Sequence, residues 1–194
     1  MRTRLKDKCI TDLDAKCNKT KLIAYKALRI SMESVQNILE KDPDTHIIYF
    51  VRDPRATAFS TKGAGLMSRY SGGQVPQEAK FLCKKMKHDL DLFRIYEQLY
   101  PGAIKLVKYE DMTREPDLVS DNLYDFVGVQ RHESIKKWIQ QSQTKHSNGG
   151  TWDTNRANWT ASIEKWRKRV SIEGAKAMSE HCKEVLTILG YSLS

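Results

Sequence analysis

Ile47-Ile48-Tyr49-Phe50-Val51 runs without a polar break into Arg52-Asp53-Pro54-Arg55, and this junction restricts the chain to few folds. A short, continuous apolar run rich in β-branched and aromatic residues reads as a strand buried on both faces, the kind found in parallel sheets covered by helices. Pro54 suits the first turn of a helix, which continues at least through Phe59. A strand that passes directly into a helix places basic side chains and free backbone N–H groups at the carboxyl edge of a sheet. Open α/β sheets bind ligands at that edge, and a helix N-terminus favours an anion.

The rest of the chain follows the same alternation. Val35, Ile38 and Leu39 recur at helical spacing and Asp42-Pro43-Asp44 stops that helix. Residues 62–76 carry four glycines and read as a loop. Leu82, Met86, Leu90, Phe93 and Tyr96 line one stripe of a long amphipathic helix. Pro101-Gly102 turns the chain into a second apolar strand, Ile104 to Val107. Helices are expected over about 116–127 and 131–141, then a Gly/Asn/Thr-rich loop to about 158. A last helix has Met178, Cys182, Val185 and Leu189 on one stripe and stops at Gly190. Alternating strands and helices predict an α/β fold, and 194 residues without a repeat or linker predict a single domain over 1–194.

The net charge of +9 attracts polyanions without choosing among nucleic acid, phospholipid, nucleotide and acidic polysaccharide. No stretch approaches the roughly 18 apolar residues of a membrane span. Met1 to Cys9 has a basic flank with no apolar core behind it, so no targeting segment is expected here. Cys9, Cys17, Cys83 and Cys182 form no CxxC and have no histidine at zinc-site spacing, so no metal is expected. They read as buried thiols or as two disulfides, the latter requiring an oxidising compartment. The sequons Asn18-Lys19-Thr20 and Asn158-Trp159-Thr160 matter only in a lumen.

Arg52 and Ser60, eight residues apart, can reach one phosphate with a forked donor set and a hydroxyl. The alternative is that Arg52 pairs with Asp53 or another carboxylate and Ser60 only caps. Val51-Arg52-Asp53-Pro54-Arg55 through Ser60 resembles the 3′-phosphate-binding segment of sulfotransferases, which use 3′-phosphoadenosine-5′-phosphosulfate. The likeness extends over roughly residues 20–192. Lys26-Ala27-Leu28-Arg29 resembles the Lys-x-x-Arg strand end of Golgi carbohydrate sulfotransferases, and Asp42-Pro43 also matches. Leu106-Val107-Lys108-Tyr109-Glu110-Asp111-Met112 with Glu115-Pro116 is similar to the family's Arg-Tyr-Glu-Asp-Leu segment, and Lys137-Trp138-Ile139-Gln140 fits next. Thr154-Asn155-Arg156, Glu164-Lys165-Trp166-Arg167, Cys182 and Leu189-Gly190-Tyr191 resemble the tail of the keratan-sulfate and N-acetylglucosamine 6-O-sulfotransferases.

The resemblance implies a P-loop-like sulfotransferase fold. The enzyme it implies moves a sulfuryl group to a hydroxyl of N-acetylglucosamine or galactose in a glycan or proteoglycan. It assigns Arg52 and Ser60 to the donor's 3′-phosphate, with Arg156 as a second cation and Thr154 placing its loop. Tyr109 falls near the adenine or closes a strand as a core aromatic; Arg167 is a ligand contact or a surface charge. Lys26 and Arg29 fall on the strand leading to the reacting centre, where a fixed cation stabilises the leaving oxygen. His46 and His88 are candidates for the base only by residue type, and neither is assigned. The family works in the Golgi lumen, which implies no nucleic-acid partner and membrane contact only through an anchor. It also suggests that Cys83 pairs with Cys182 and Cys9 with Cys17. The first glycine is Gly63, so the Gly/Ser/Thr loop that cradles the 5′-phosphosulfate is expected to be missing. The sheet should then expose apolar surface. A non-catalytic remnant that holds nucleotide or anionic glycan is the alternative, and without a Walker loop a kinase relative is disfavoured.

Overall fold

The computed structural model describes residues 11, 13, 15, 19–20, 22–28, 30–67, 71–144 and 159–193. The chain divides into two compact units, Met1–Ile30 and Ser31–Ser194. In the first, residues 22–27 have no regular secondary structure, and Leu22, Ile23, Tyr25 and Leu28 are exposed. The strand end expected at Lys26 is therefore not formed. An extended segment counts as a strand only when a neighbour completes its ladder, and 22–28 enters none.

The second unit holds the elements α1 (Glu33–Lys41), β1 (Ile47–Val51), α2 (Pro54–Gly63), α3 (Val75–Leu99), β2 (Ile104–Lys108) and α4 (Tyr109–Arg114). After these come α5 (Pro116–Phe126), α6 (Glu133–Thr144), α7 (Ala161–Glu164) and α8 (Ile172–Leu189). Among the described residues the sheet is the parallel pair β1–β2, with Ile47 opposite Ile104 and Val51 opposite Lys108. Parallel strands need a long crossover, and the 25-residue α3 provides it.

Two apolar clusters hold this frame. Ala56, Ala58, Leu90, Met178, Val185 and Leu186 join α2, α3 and α8 beneath Val51. Met32, Val35, Leu39, Phe93, Tyr96 and Ile104 join α1, α3 and β2. Tyr49 and Leu106, on the covered face of the sheet, pack against both clusters. Burying one such side chain as fully as Leu90 contributes about 1.5–3 kcal/mol. Cys83 of α3 and Cys182 of α8, both buried, form the disulfide suggested by the sequence. Cys9 and Cys17 lie outside the described residues, as do Asn18 and Asn158.

One expectation needs correction. β1 is not buried on both faces: Ile48 and Phe50 remain 41% and 50% exposed. On that side of the strand the Phe50 and Tyr109 rings meet edge to face, with their centres 6.3 Å apart. A continuous apolar run records that both faces tolerate burial, not that both are covered. Boundaries shift as well. The first helix after β1 reaches Gly63, one residue past the expected start of the glycine-rich stretch at 62, because Ala64 N–H still bonds back to Ser60.

Candidate functional site

The parallel register puts Arg52 and Tyr109 one residue past the paired ends Val51 and Lys108. Both therefore sit side by side at the carboxyl edge. The Arg52 guanidinium lies 4.4 Å from the centre of the Tyr109 ring, a cation–π distance. Its Nη2 donates to the Ser162 carbonyl at 3.0 Å. Ser162 Oγ donates to the Trp159 carbonyl at 2.6 Å, which leaves that oxygen to accept from Tyr109 Oη, also at 2.6 Å. Tyr109 does not close the strand; it opens α4. The Arg52 Nε is buried and has no hydrogen-bond partner among the described residues. A buried donor left unmet costs about 1–3 kcal/mol, so a complementary anion at this position would relieve it.

Asp53 does not pair with Arg52. Its carboxylate faces the start of α2, where Oδ1 accepts from the Arg55 N–H at 2.9 Å as an N-cap. Both of its oxygens also take Arg55 side-chain donors, at 2.9–3.3 Å. Arg55 itself is completely buried. Its remaining donors go to Ser179 Oγ and the Ser192 carbonyl, each at 2.8 Å, and its guanidinium lies 4.9 Å from the Trp166 ring centre. Arg52 is thus left with its cationic head uncommitted to any carboxylate among the described residues.

Beneath the same edge, Glu110 is buried and accepts from the Asp53 N–H at 3.1 Å and from Tyr191 Oη at 2.6 Å. The Tyr191 phenol is held far above its usual range, first by burial and then by its hydrogen bond to Glu110. Burial does the same to Tyr49, with Asp89 adding to it. Raised phenol pKa values mean that the fold favours the neutral form. Their stabilisation is complete below about pH 10, where unfolded tyrosine titrates, and is lost as pH rises further toward the folded values. The urea midpoint should accordingly fall beyond about pH 10, more steeply for the unaltered chain than for Tyr191→Phe. Parallel pH profiles for the two proteins would contradict this.

Ser60 is exposed on the second turn of α2. Arg167 faces solvent on the turn after α7, where Nε donates to Glu164 Oε2 at 2.7 Å and the guanidinium lies 4.7 Å from the Trp166 ring centre. Lys26 is exposed in the first unit; Arg29, Thr154 and Arg156 lie outside the described residues. His46 packs edge-on against Phe126 and His88 meets Glu33 at 2.9 Å, both exposed. Ser162, which reaches Arg52 from 110 residues away, carries no local signal that would mark it. Glu110 and Tyr191 were visible only as parts of Tyr-Glu-Asp and Leu-Gly-Tyr. Among the described residues no group of three or more His, Cys, Asp or Glu gathers at metal-binding distances, and no helix is long and apolar enough to cross a membrane.

The family model for the sulfotransferase family matches residues 8–133. Carbohydrate sulfotransferase 3 of Homo sapiens is 27% identical over 92% of this chain and 40% of its own length. Carbohydrate sulfotransferase 1 of Homo sapiens is 25% identical over 92% of this chain and 47% of its own. The chain thus spans less than half the length of these relatives. The solved sulfotransferase domain from the curacin biosynthetic pathway superimposes with a TM-score of 0.56 at 18% identity, over 81% of this chain and 59% of that one. That likeness concerns the fold.

Proposed function

Because the chain belongs to the sulfotransferase family, we propose that it serves transfer of a sulfuryl group from 3′-phosphoadenosine-5′-phosphosulfate to a glycan hydroxyl. The 6-hydroxyl of N-acetylglucosamine or galactose is the favoured acceptor. The observation that carries this reading is Arg52, with a buried, unmet Nε and a guanidinium steadied on Tyr109 at the carboxyl edge of the sheet. A phosphate oxygen supplies what that nitrogen lacks. Arg52 and Ser60 hold the 3′-phosphate, Tyr109 borders the adenine, and Arg156, placed by Thr154, adds a second cation. Arg167 extends the cationic rim, and Lys26 with Arg29 stabilises the leaving oxygen.

In the reaction the acceptor oxygen forms a bond to sulfur as the bond from sulfur to the 5′-phosphate oxygen breaks. The hydroxyl proton goes to a base, and negative charge collects on the departing bisphosphate. Fixed cations aimed at that charge lower the barrier. The buried Cys83–Cys182 disulfide supports an oxidising compartment such as the Golgi lumen. The relatives' names support a carbohydrate acceptor.

Titration calorimetry tests the site. Arg52→Ala is expected to weaken binding of adenosine 3′,5′-bisphosphate by about 1.5–3 kcal/mol, the range for a hydrogen bond to a charged group. Binding of 5′-AMP should change little. If both ligands respond alike, the 3′-phosphate assignment is wrong. Labelled sulfate on an N-acetylglucosamine acceptor is the second measurement. Binding without labelled product would favour a nucleotide-holding module over an enzyme.

A further inference from the structure

Arg52 is the group that meets the anion in the proposed function, and a buried polar cluster adjoins it through the Asp53 N–H. Its centre is Glu110, 3% exposed. Glu110 follows Tyr109, the ring beneath Arg52, and its Oε1 accepts the Asp53 N–H. That N–H belongs to the peptide unit linking Arg52 to Asp53, so the bond fixes the backbone torsion from which the Arg52 side chain departs. One carboxylate therefore sets both halves of the cation–π pair.

The other oxygen of Glu110 accepts from Tyr191 Oη. Tyr191 is delivered by the end of α8. Gly190 adopts φ 70°, a left-handed conformation open to glycine, and the reversal lets the Tyr191 N–H bond to the Leu186 carbonyl at 2.8 Å. Residue 192 extends the same clamp, since its carbonyl accepts from Arg55. Lys108 Nζ adds a contact from β2, donating to the Leu189 carbonyl at 3.3 Å.

We propose that Glu110 and Tyr191 are positioning residues: together they hold the Arg52–Asp53 peptide and Tyr109 in register and so set the affinity of Arg52 for the 3′-phosphate without touching the donor. This rests on the reading that Arg52 binds that phosphate. The segment after α8 is then part of the anion site, although it lines no part of the surface that Arg52 presents. A purely structural role would leave its mark on folding stability alone. A positioning role makes its effect on binding conditional on Arg52.

A double-mutant cycle separates the two. Tyr191→Phe keeps the ring and removes only the donor to Glu110. In the unaltered background it should weaken binding of adenosine 3′,5′-bisphosphate about five- to tenfold, the loss of one hydrogen bond. In the Arg52→Ala background it should add nothing, which is the signature of coupling. Amide hydrogen exchange supplies a readout free of ligand. The Asp53 amide should exchange faster in Tyr191→Phe and in Glu110→Gln, while the amides of Leu90 and Leu186 in the core keep their protection. Unchanged bisphosphate affinity in Tyr191→Phe overturns the proposal, provided that Arg52→Ala loses affinity. Equal losses in both backgrounds also overturn it, as does uniform acceleration of all slow amides. Equal binding by the unaltered chain and Arg52→Ala, undetectable binding included, overturns the phosphate reading itself and with it this inference.

Discussion

Replacing Arg55 with leucine is expected to lower the free energy of unfolding by about 3–5 kcal/mol, the cost of leaving one member of a buried ion pair behind. Arg55 is fully buried and Asp53 nearly so, with a salt bridge of 2.9 Å between them. Leucine keeps part of the stem's packing but strands the Asp53 carboxylate, along with Ser179 Oγ and the Ser192 carbonyl. Urea unfolding at neutral pH measures the loss. Adding Asp53→Asn to the leucine variant should recover part of it, because the orphaned charge disappears while the amide can still cap α2. A loss below about 1 kcal/mol would show that water reaches the carboxylate and that the pair is not effectively buried.

Opening the Cys83–Cys182 bridge should have an effect of similar size. The two cysteines are 99 residues apart in sequence, and closing a loop of that length removes about 4–5 kcal/mol of denatured-chain freedom in the entropic model. Cys83→Ala and Cys182→Ala should therefore each lower stability by about that much, and the double variant by little more, because both single variants break the same bond. Peptide mapping of secreted, non-reduced protein should yield one cross-linked peptide containing both residues. Full alkylation of both thiols without reductant would eliminate the bond and the luminal argument together.

The junction from β1 into α2 and the stripes of α3 and α8 were legible in the sequence because each depends on local spacing. The bond between Cys83 and Cys182 was suggested by the family resemblance. Arg55 was not legible as a core residue. Arginine is ordinarily solvent-facing, and nothing local says that four acceptors will surround it. Which of Arg52 and Arg55 takes Asp53 was equally hidden. It depends on how an N-cap carboxylate turns toward the first free N–H groups of its helix. Ser162 could not be read at all, since its contact with Arg52 joins segments brought together only by tertiary folding. The exposed face of β1 escaped for a different reason: an apolar run specifies what a strand can tolerate, and coverage depends on elements elsewhere.

The pairing of Val51 with Lys108 also determines which changes in chain length the site can absorb. A residue inserted at 64–66, between α2 and α3, lengthens only the connection, because the ladder is set by the apolar pattern of the two strands and not by the distance travelled between them. A residue deleted inside β1 acts differently. Side chains alternate along a strand, so the one-residue slip would carry Arg52 to the opposite face of the sheet, away from Tyr109. Homologous chains with this edge intact can therefore vary freely in crossover length, while the span from Ile47 to Arg52 has to remain constant.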